Sequence, residues 1–363
     1  MAIVYKNGTM RDMKKRVLCA LFYLFSSSQA FALSDLEISG ELDASVGVST
    51  LPTGERGNSN FAVPGLFLDV NAPLKEENVL TLVFEGSETK TSSTERFDVK
   101  VREAYVDLIS LFAGMHAVRF GLIPQVWQEA QYETYNYRFL ERDAWAITEK
   151  WRYLNPSDLG ISFMSELSQN FGEWALTFAN GEGAEGAEEG SHKEASLFLR
   201  LTPQEPWSFS FGYTRGSYEL YGEGVSLKER IQALVMYEGH GPVTWGLELL
   251  ATQDPADGMI ALDMAEKVDV SSLSGQAVKG QAGSLFTVIS TGPKAELMLR
   301  YDYLNAVVGE DGKDLQTGLA SLAYQLTDDV KAAFVVDYTK YGENFSPAVR
   351  DRTKISLAGQ ALF

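Results

Sequence analysis

Seven charged side chains crowd into the stretch "RFLERDAWAITEKWR": Arg138, Glu141, Arg142, Asp143, Glu149, Lys150 and Arg152. Mixed signs at this density make neither a nucleophile nor a metal cage. They suit electrostatic sorting of small ions and polar solutes, because in a narrow space of reduced dielectric one fixed charge acts on a passing ion far more strongly than in bulk water. Covalent chemistry finds less to work with. The histidines after the leader, His116, His192 and His240, fall on an expected outward strand face, in an acidic loop and in a turn, and none stands beside a serine and a carboxylate as a relay requires. Neither a glycine-rich phosphate cradle nor a His-x-x-x-His pair occurs, so no catalytic residue, metal or cofactor is expected. The carboxylates of "GEGAEGAEEG" (181–190) have the composition of a Ca²⁺ or Mg²⁺ loop, but a solvated, self-repelling loop explains them better, and "GEDGKD" reads as an Asp-Gly turn.

Charges of this kind need a frame to hold them. The chain of 363 residues is 45% hydrophobic and 12% aromatic, enough for a sizeable core. Its first segment reads as a signal peptide: Lys14, Lys15 and Arg16 precede the apolar run "VLCALFYLF", and Ala30 and Ala32 occupy the small-residue positions of a cleavage site. Cleavage is expected after Ala32, with Met10 and Met13 as alternative starts. Cys19, the single cysteine, lies inside that run, so residues 33–363 carry neither disulfides nor thiolate metal sites. Without the leader's five basic residues and one acidic residue, 26 basic and 48 acidic side chains remain, a net charge of −22. Nucleic acid is excluded as a partner on that balance.

No later segment is an unbroken apolar run of membrane-helix length. Instead one theme repeats: about ten residues of alternating apolar and polar character between turn residues, the signature of a transmembrane β-barrel. In "PKAELMLRYDYL", Ala295, Leu297, Leu299, Tyr301 and Tyr303 oppose Glu296, Met298, Arg300 and Asp302. A soluble sandwich also alternates, but it would leave its charged face in bulk water and need a second sheet over the apolar one. Sixteen strands are expected, near 35–49, 60–73, 78–89, 97–109, 115–123, 158–168, 173–181, 193–202, 206–217, 227–239, 242–253, 283–291, 294–305, 315–326, 329–340 and 352–363. Short turns such as "GHG", "TGP" and "TDD" alternate with longer loops, as in barrels with short periplasmic turns and long external loops.

The fold class expected is therefore all-β, an antiparallel transmembrane barrel with one long loop, 124–157, after the fifth strand. That loop contains no glycine and many aromatics, so it should be ordered. Ala144, Ile147 and Trp151 share one side at helical spacing, which would pin the loop to the wall and turn its charges inward. On the strands, the polar faces carry Lys100, Arg102, Arg119, Arg200, Lys228, Arg230, Arg300, Lys331 and Lys354, mixed with Glu85, Glu248, Glu296, Asp302 and Asp337. Such a lining separates charge across a pore more than it selects one sign.

Two stretches carry a resemblance. "AVRFGLIP", with Arg119, Phe120, Gly121 and Pro124, and "SDLG", with Asp158, Leu159 and Gly160, are similar to the segments flanking the folded-in loop of the superfamily that includes the phosphate-selective porins O and P; Ser157 departs from it where a basic residue is common. The last residue, Phe363, resembles the closing aromatic of bacterial outer-membrane barrels. The resemblance implies a trimeric porin in the bacterial outer membrane, surrounded by lipid and lipopolysaccharide, put there by the barrel-assembly machinery that reads Phe363, and passing small hydrophilic solutes or ions through a lumen narrowed by its third external loop. Phosphate or anion selectivity, a barrel-borne enzyme and a structural or adhesive barrel are the alternatives.

Overall fold

The computed structural model describes residues 36–50, 59–90, 95–111, 116–135, 137–140, 144–168, 171–184, 193–218, 226–239, 241–254, 268, 277–346 and 351–363. The expected leader, 1–32, lies outside them. Sixteen antiparallel strands close into one barrel: β1 Glu37–Thr50, β2 Ser59–Pro73, β3 Val79–Lys90, β4 Glu95–Ile109, β5 Ala117–Pro124, β6 Ser157–Glu166, β7 Gly172–Ala179, β8 Glu194–Gln204, β9 Trp207–Tyr218, β10 Ser226–Glu238, β11 Val243–Asp254, β12 Val278–Gly292, β13 Ala295–Asn305, β14 Asp314–Gln325, β15 Val330–Tyr341 and β16 Arg352–Leu362. The segment between β5 and β6 holds two helices, α1 Val126–Thr134 and the single turn α2 Ile147–Lys150, with a 3₁₀ turn at Arg138–Leu140 between them.

Alternation fixes which face looks where. On β13, Leu299, Tyr301 and Tyr303 are exposed while Met298, Arg300, Asp302 and Leu304 are buried. Ile231, Leu249, Leu285, Leu322, Phe334 and Leu357 repeat the pattern on other strands. A tube whose outside is apolar and whose inside holds arginines and aspartates inverts the layout of a water-soluble protein. Trp207, Tyr237 and Trp245 form an aromatic group on three adjacent strands at the end of the short turns, with Trp207 5.1 Å from Tyr237 and 5.5 Å from Trp245.

Closure joins the first and last strands. Val46 lies opposite Leu357 and Glu41 opposite Leu362; beyond that, Gly40 and Phe363 exchange both backbone hydrogen bonds, 2.8 and 3.0 Å. The Phe363 ring lies across Gly40, where a Cβ would run into it. Glycine is thus what admits the terminal aromatic to the seam.

One irregularity matters for the interior. Val83 faces Glu103 and Phe84 faces Val101, so Arg102 is an extra residue on β4, a β-bulge. Arg102 is buried and both it and Glu103 turn inward, which a regular strand forbids for consecutive residues.

Candidate functional site: a charged interior crossed by the 124–157 segment

β5 ends in a bend that only glycine takes easily: Gly121 has φ +128°, and a Cβ there would strike the Ala104 carbonyl on β4. Gly121 pairs with Gly160 and Pro124 with Ser157, so the residues that carry the porin resemblance are the paired stems from which the long segment departs. α1 then runs into the barrel. Its N-terminal turn is closed by the Gln125 carbonyl, which accepts from the N–H groups of Gln128 and Glu129 at 3.0 Å each. Trp127 and Gln131, one helical turn apart, both reach Glu248 on β11, at 3.3 Å from the indole Nε1 and 2.8 Å from the amide Nε2. The N–H of Ile147, first residue of α2, lies 3.5 Å from the same carboxylate. Glu248 is fully buried, so one wall residue fastens both helices.

Arg138 sits among the rings of Phe67 on β2, Tyr132 and Trp145, at 4.5, 5.1 and 5.0 Å from their centres. Its guanidinium also donates to Glu149 at 3.0 Å. Glu149 accepts from Arg102 at 3.2 Å and from the Tyr132 hydroxyl at 2.7 Å as well, and Arg102 donates to Glu85 at 2.7 Å. Burial pushes the Glu149 carboxyl up, but Arg138 and Arg102 outweigh it and hold it at about 2. The neighbouring Lys150 points the other way, 2.9 Å from Asp302, which also takes the Arg300 guanidinium at 2.7 Å. Arg300 in turn donates to the Ala144 carbonyl at 2.7 Å.

The remaining lining residues divide similarly. Arg119 holds Asp107 with two hydrogen bonds, 2.8 and 3.0 Å, and reaches Glu129 of α1 at 2.9 Å. Burial raises the Glu129 carboxyl above its ordinary range although Arg119 opposes the shift. Arg200 bridges Glu173 and Glu133, Arg230 joins Asp254 at 2.7 Å and the Tyr153 carbonyl at 2.9 Å, and Glu296 receives Lys331 at 3.2 Å and the Tyr137 hydroxyl. Lys100 is half exposed and 3.7 Å from Glu85.

Several expectations change. Glu149 and Lys150 are not free pore charges: both are buried and paired with wall or segment cations and carboxylates, Glu149 at the edge of the interior space, and Arg138 is a caged anchor. The apolar side of Ala144, Ile147 and Trp151 does pack inward, yet the helix it implied is one turn long, stopped where Arg152 takes φ +55°. Arg152 is exposed, and among the described residues no carboxylate pairs with it. Glu141, Arg142 and Asp143 lie outside the described residues, as do His192 and His240. His116, expected on an outward face, stands ahead of β5, 4.0 Å from the exposed Glu166, because the strand begins one residue later. α1 had no counterpart in the sequence reading.

The segment leaves one side of the barrel filled and the other hollow. Trp127, Tyr135, Tyr137, Phe139 and Leu140 pack with Phe286, Met298, Leu319 and Val335 of β12–β15 into a continuous apolar core. Among the described residues, two cavities lie along β3–β6. One, of about 290 Å³, opens toward the long loops and is lined by Glu85, Lys100, Arg102, Trp145, Glu149, Arg152 and Glu182. The other, of about 260 Å³, opens toward the short turns and is lined by Asp107, His116, Arg119, Glu129, Glu133, Glu166 and Glu173. Glu103 and Tyr105 occupy the inner face of β4 between them.

No family model matches the chain, and no curated protein matches it by sequence. Solved structures do. Over 90% of this chain and 97% of the other, it superposes on the outer-membrane channel DcaP of Acinetobacter baumannii with a TM-score of 0.66 at 10% identity. The chain has the fold of the outer-membrane porins. OprB of Pseudomonas putida matches with a TM-score of 0.65 at 9% identity, over 91% of this chain and 94% of that one. An anion-selective porin from Comamonas acidovorans matches with 0.62 at 13% identity, over 90% and 99%. At such identities the likeness is one of fold. The porin fold and the interior placement of the segment after β5 agree with the expectation; the phosphate-selective resemblance rests on residues 119–124 and 158–160 alone.

Proposed function

We propose that the protein is a diffusion porin of the bacterial outer membrane, through which small hydrophilic solutes or ions pass passively along the hollow β3–β6 side. One observation carries it: an apolar tube encloses a charged interior that a folded-in segment narrows without filling. The short turns then face the periplasm and the long loops the outside, residues 1–32 direct export, and the barrel assembles as a homotrimer in lipid and lipopolysaccharide. The charges along β3–β6 set ionic preference, with Arg102, Arg119 and the Glu149 cluster at the narrow part. The wall carries both signs in close pairs, which favours a general channel over a phosphate-selective one. Reconstituted in planar bilayers under a salt gradient, the purified protein should give discrete conductance steps, and a preparation that never conducts would return the chain to the structural or enzymatic alternatives.

Assembly offers a second test. Deleting Phe363 removes a backbone pair and the ring over Gly40 at the closing seam, and with them the aromatic end proposed as the signal to the assembly machinery. Less folded, heat-modifiable protein should reach the outer membrane, whereas unchanged yield and mobility would dismiss the terminal signal.

A further inference from the structure

The two cavities differ in charge as well as position. On the long-loop side the carboxylates Glu85, Glu149 and Glu182 meet Lys100, Arg102 and Arg152, and Arg138 adds a further cation on Glu149. Counted over the described residues, and with Glu103 beside Arg102, that chamber is close to neutral. On the short-turn side Asp107, Glu129, Glu133, Glu166 and Glu173 line the space against Arg119, with Arg200 bonded to two of the five. Even with both arginines counted, three negative charges are unbalanced there. We infer that this axial asymmetry makes the channel an ionic rectifier, conducting better in one direction than in the other; the inference rests on the porin function proposed above.

A negatively lined chamber concentrates cations and repels anions within a Debye length, about 8 Å at physiological salt, which is comparable to the half-width of such a space. A near-neutral chamber in series admits both. When the periplasmic side is positive, cations leave the acidic chamber toward the outer one while anions arrive from outside and are held at the acidic boundary. Ions of both signs accumulate between the chambers, and conductance rises. Reversed polarity draws cations back through the acidic chamber and sends anions outward, which depletes the junction. Glu103 and the Arg102 bulge mark that boundary on the wall.

The test is single-channel recording from the full-length protein. Orientation is assigned with Asp311→Cys in the β13–β14 turn, biotinylated, from the side on which streptavidin disturbs the current. At about 0.1 M KCl the current at about 100 mV should be about twofold larger with the periplasmic side positive, and at about 1 M, where the Debye length is about 3 Å, the two directions should become equal. The double substitution Glu133→Gln/Glu166→Gln, at two side chains that are 59% and 63% exposed, removes two of the three unbalanced charges and should bring the low-salt current ratio most of the way to one. Symmetric currents in the native protein at low salt, the opposite polarity, or an asymmetry that survives high salt or is unchanged by the double substitution would each overturn rectification while leaving the porin intact. Should the double variant fail to assemble, the salt series decides alone. A protein that does not conduct would overturn the porin function itself, which is a different result.

Discussion

Replacing Glu149 by leucine should release the 124–157 segment from the β2–β4 wall, raising single-channel conductance and noise and lowering the temperature at which the folded form is lost in detergent. Glu149 is the shared acceptor of Arg102, Arg138 and Tyr132, and its side chain is 5% exposed. Removing it leaves two guanidinium groups facing one another out of bulk water, with Glu85 and Glu103 still paired to Arg102. Breaking a buried pair in this way typically costs about 3–5 kcal/mol, far more than the loss of an exposed one. Glu149→Gln keeps the shape and an acceptor for Tyr132, so it should fall between leucine and native protein. Native conductance and melting in the leucine variant would mean that the segment is held elsewhere.

The same carboxylate sets a pH limit. Its folded-state pKa, about 2, lies below the ordinary glutamate value of 4.5, so the stabilisation is complete above 4.5 and is lost as pH falls toward 2. A shift of that size corresponds to on the order of 3 kcal/mol. Conductance titrated from neutral pH downward should therefore show no loosening of the segment until pH drops below the ordinary glutamate range. Loosening near neutral pH would contradict the assignment.

Arg152→Glu and Arg138→Glu should separate the two uses of arginine in this interior. Arg152 is exposed in the outer cavity with no described carboxylate partner, so reversing it changes the field on the route and little else. The zero-current potential under a salt gradient should move toward cation preference, with the permeability ratio changing about two- to fivefold at low salt and less at high salt. Melting should stay within about 0.5 kcal/mol of native, as for most surface substitutions. Arg138→Glu exchanges a guanidinium inside three rings for a carboxylate beside Glu149. Stability should drop sharply there, and any selectivity change would be mixed with movement of the segment. Equal effects of the two substitutions on melting would show that the cage does not anchor Arg138.

Much of this was legible from periodicity. β13 announces its faces because lipid demands an apolar residue at every second position, and the alternation of Leu299, Tyr301 and Tyr303 with Arg300 and Asp302 survives any change of register by two. The start of β12 was less plain: "VKGQAG" (278–283) puts Lys279 and Gln281 outward at the long-loop end, beyond the apolar band, so the strand begins before its pattern does. The Arg102 bulge breaks the period of two without any marker in composition. α1 escaped notice because its polar face is also buried: Gln128 and Gln131 meet wall and segment partners instead of water, which removes the contrast an amphipathic helix displays. Polarity identified which side chains face inward, but pairing depends on distance across the barrel. Nothing near Lys150 in the sequence points to Asp302, 152 residues away.

That last pair gives the interior a mechanical character. Glu149 and Lys150 are consecutive, yet one is tied to Arg102 on β4 and the other to Asp302 on β13, strands on nearly opposite sides of a ring of sixteen. Two adjacent residues of a single helical turn thus act as a tie rod across the diameter. A one-layer tube resists flattening only through the stiffness of its sheet, and a bilayer presses on it unevenly from the side; a rod anchored by charged pairs at both ends resists ovalisation directly. The cross-section is thereby braced from within, along the same axis that the segment narrows.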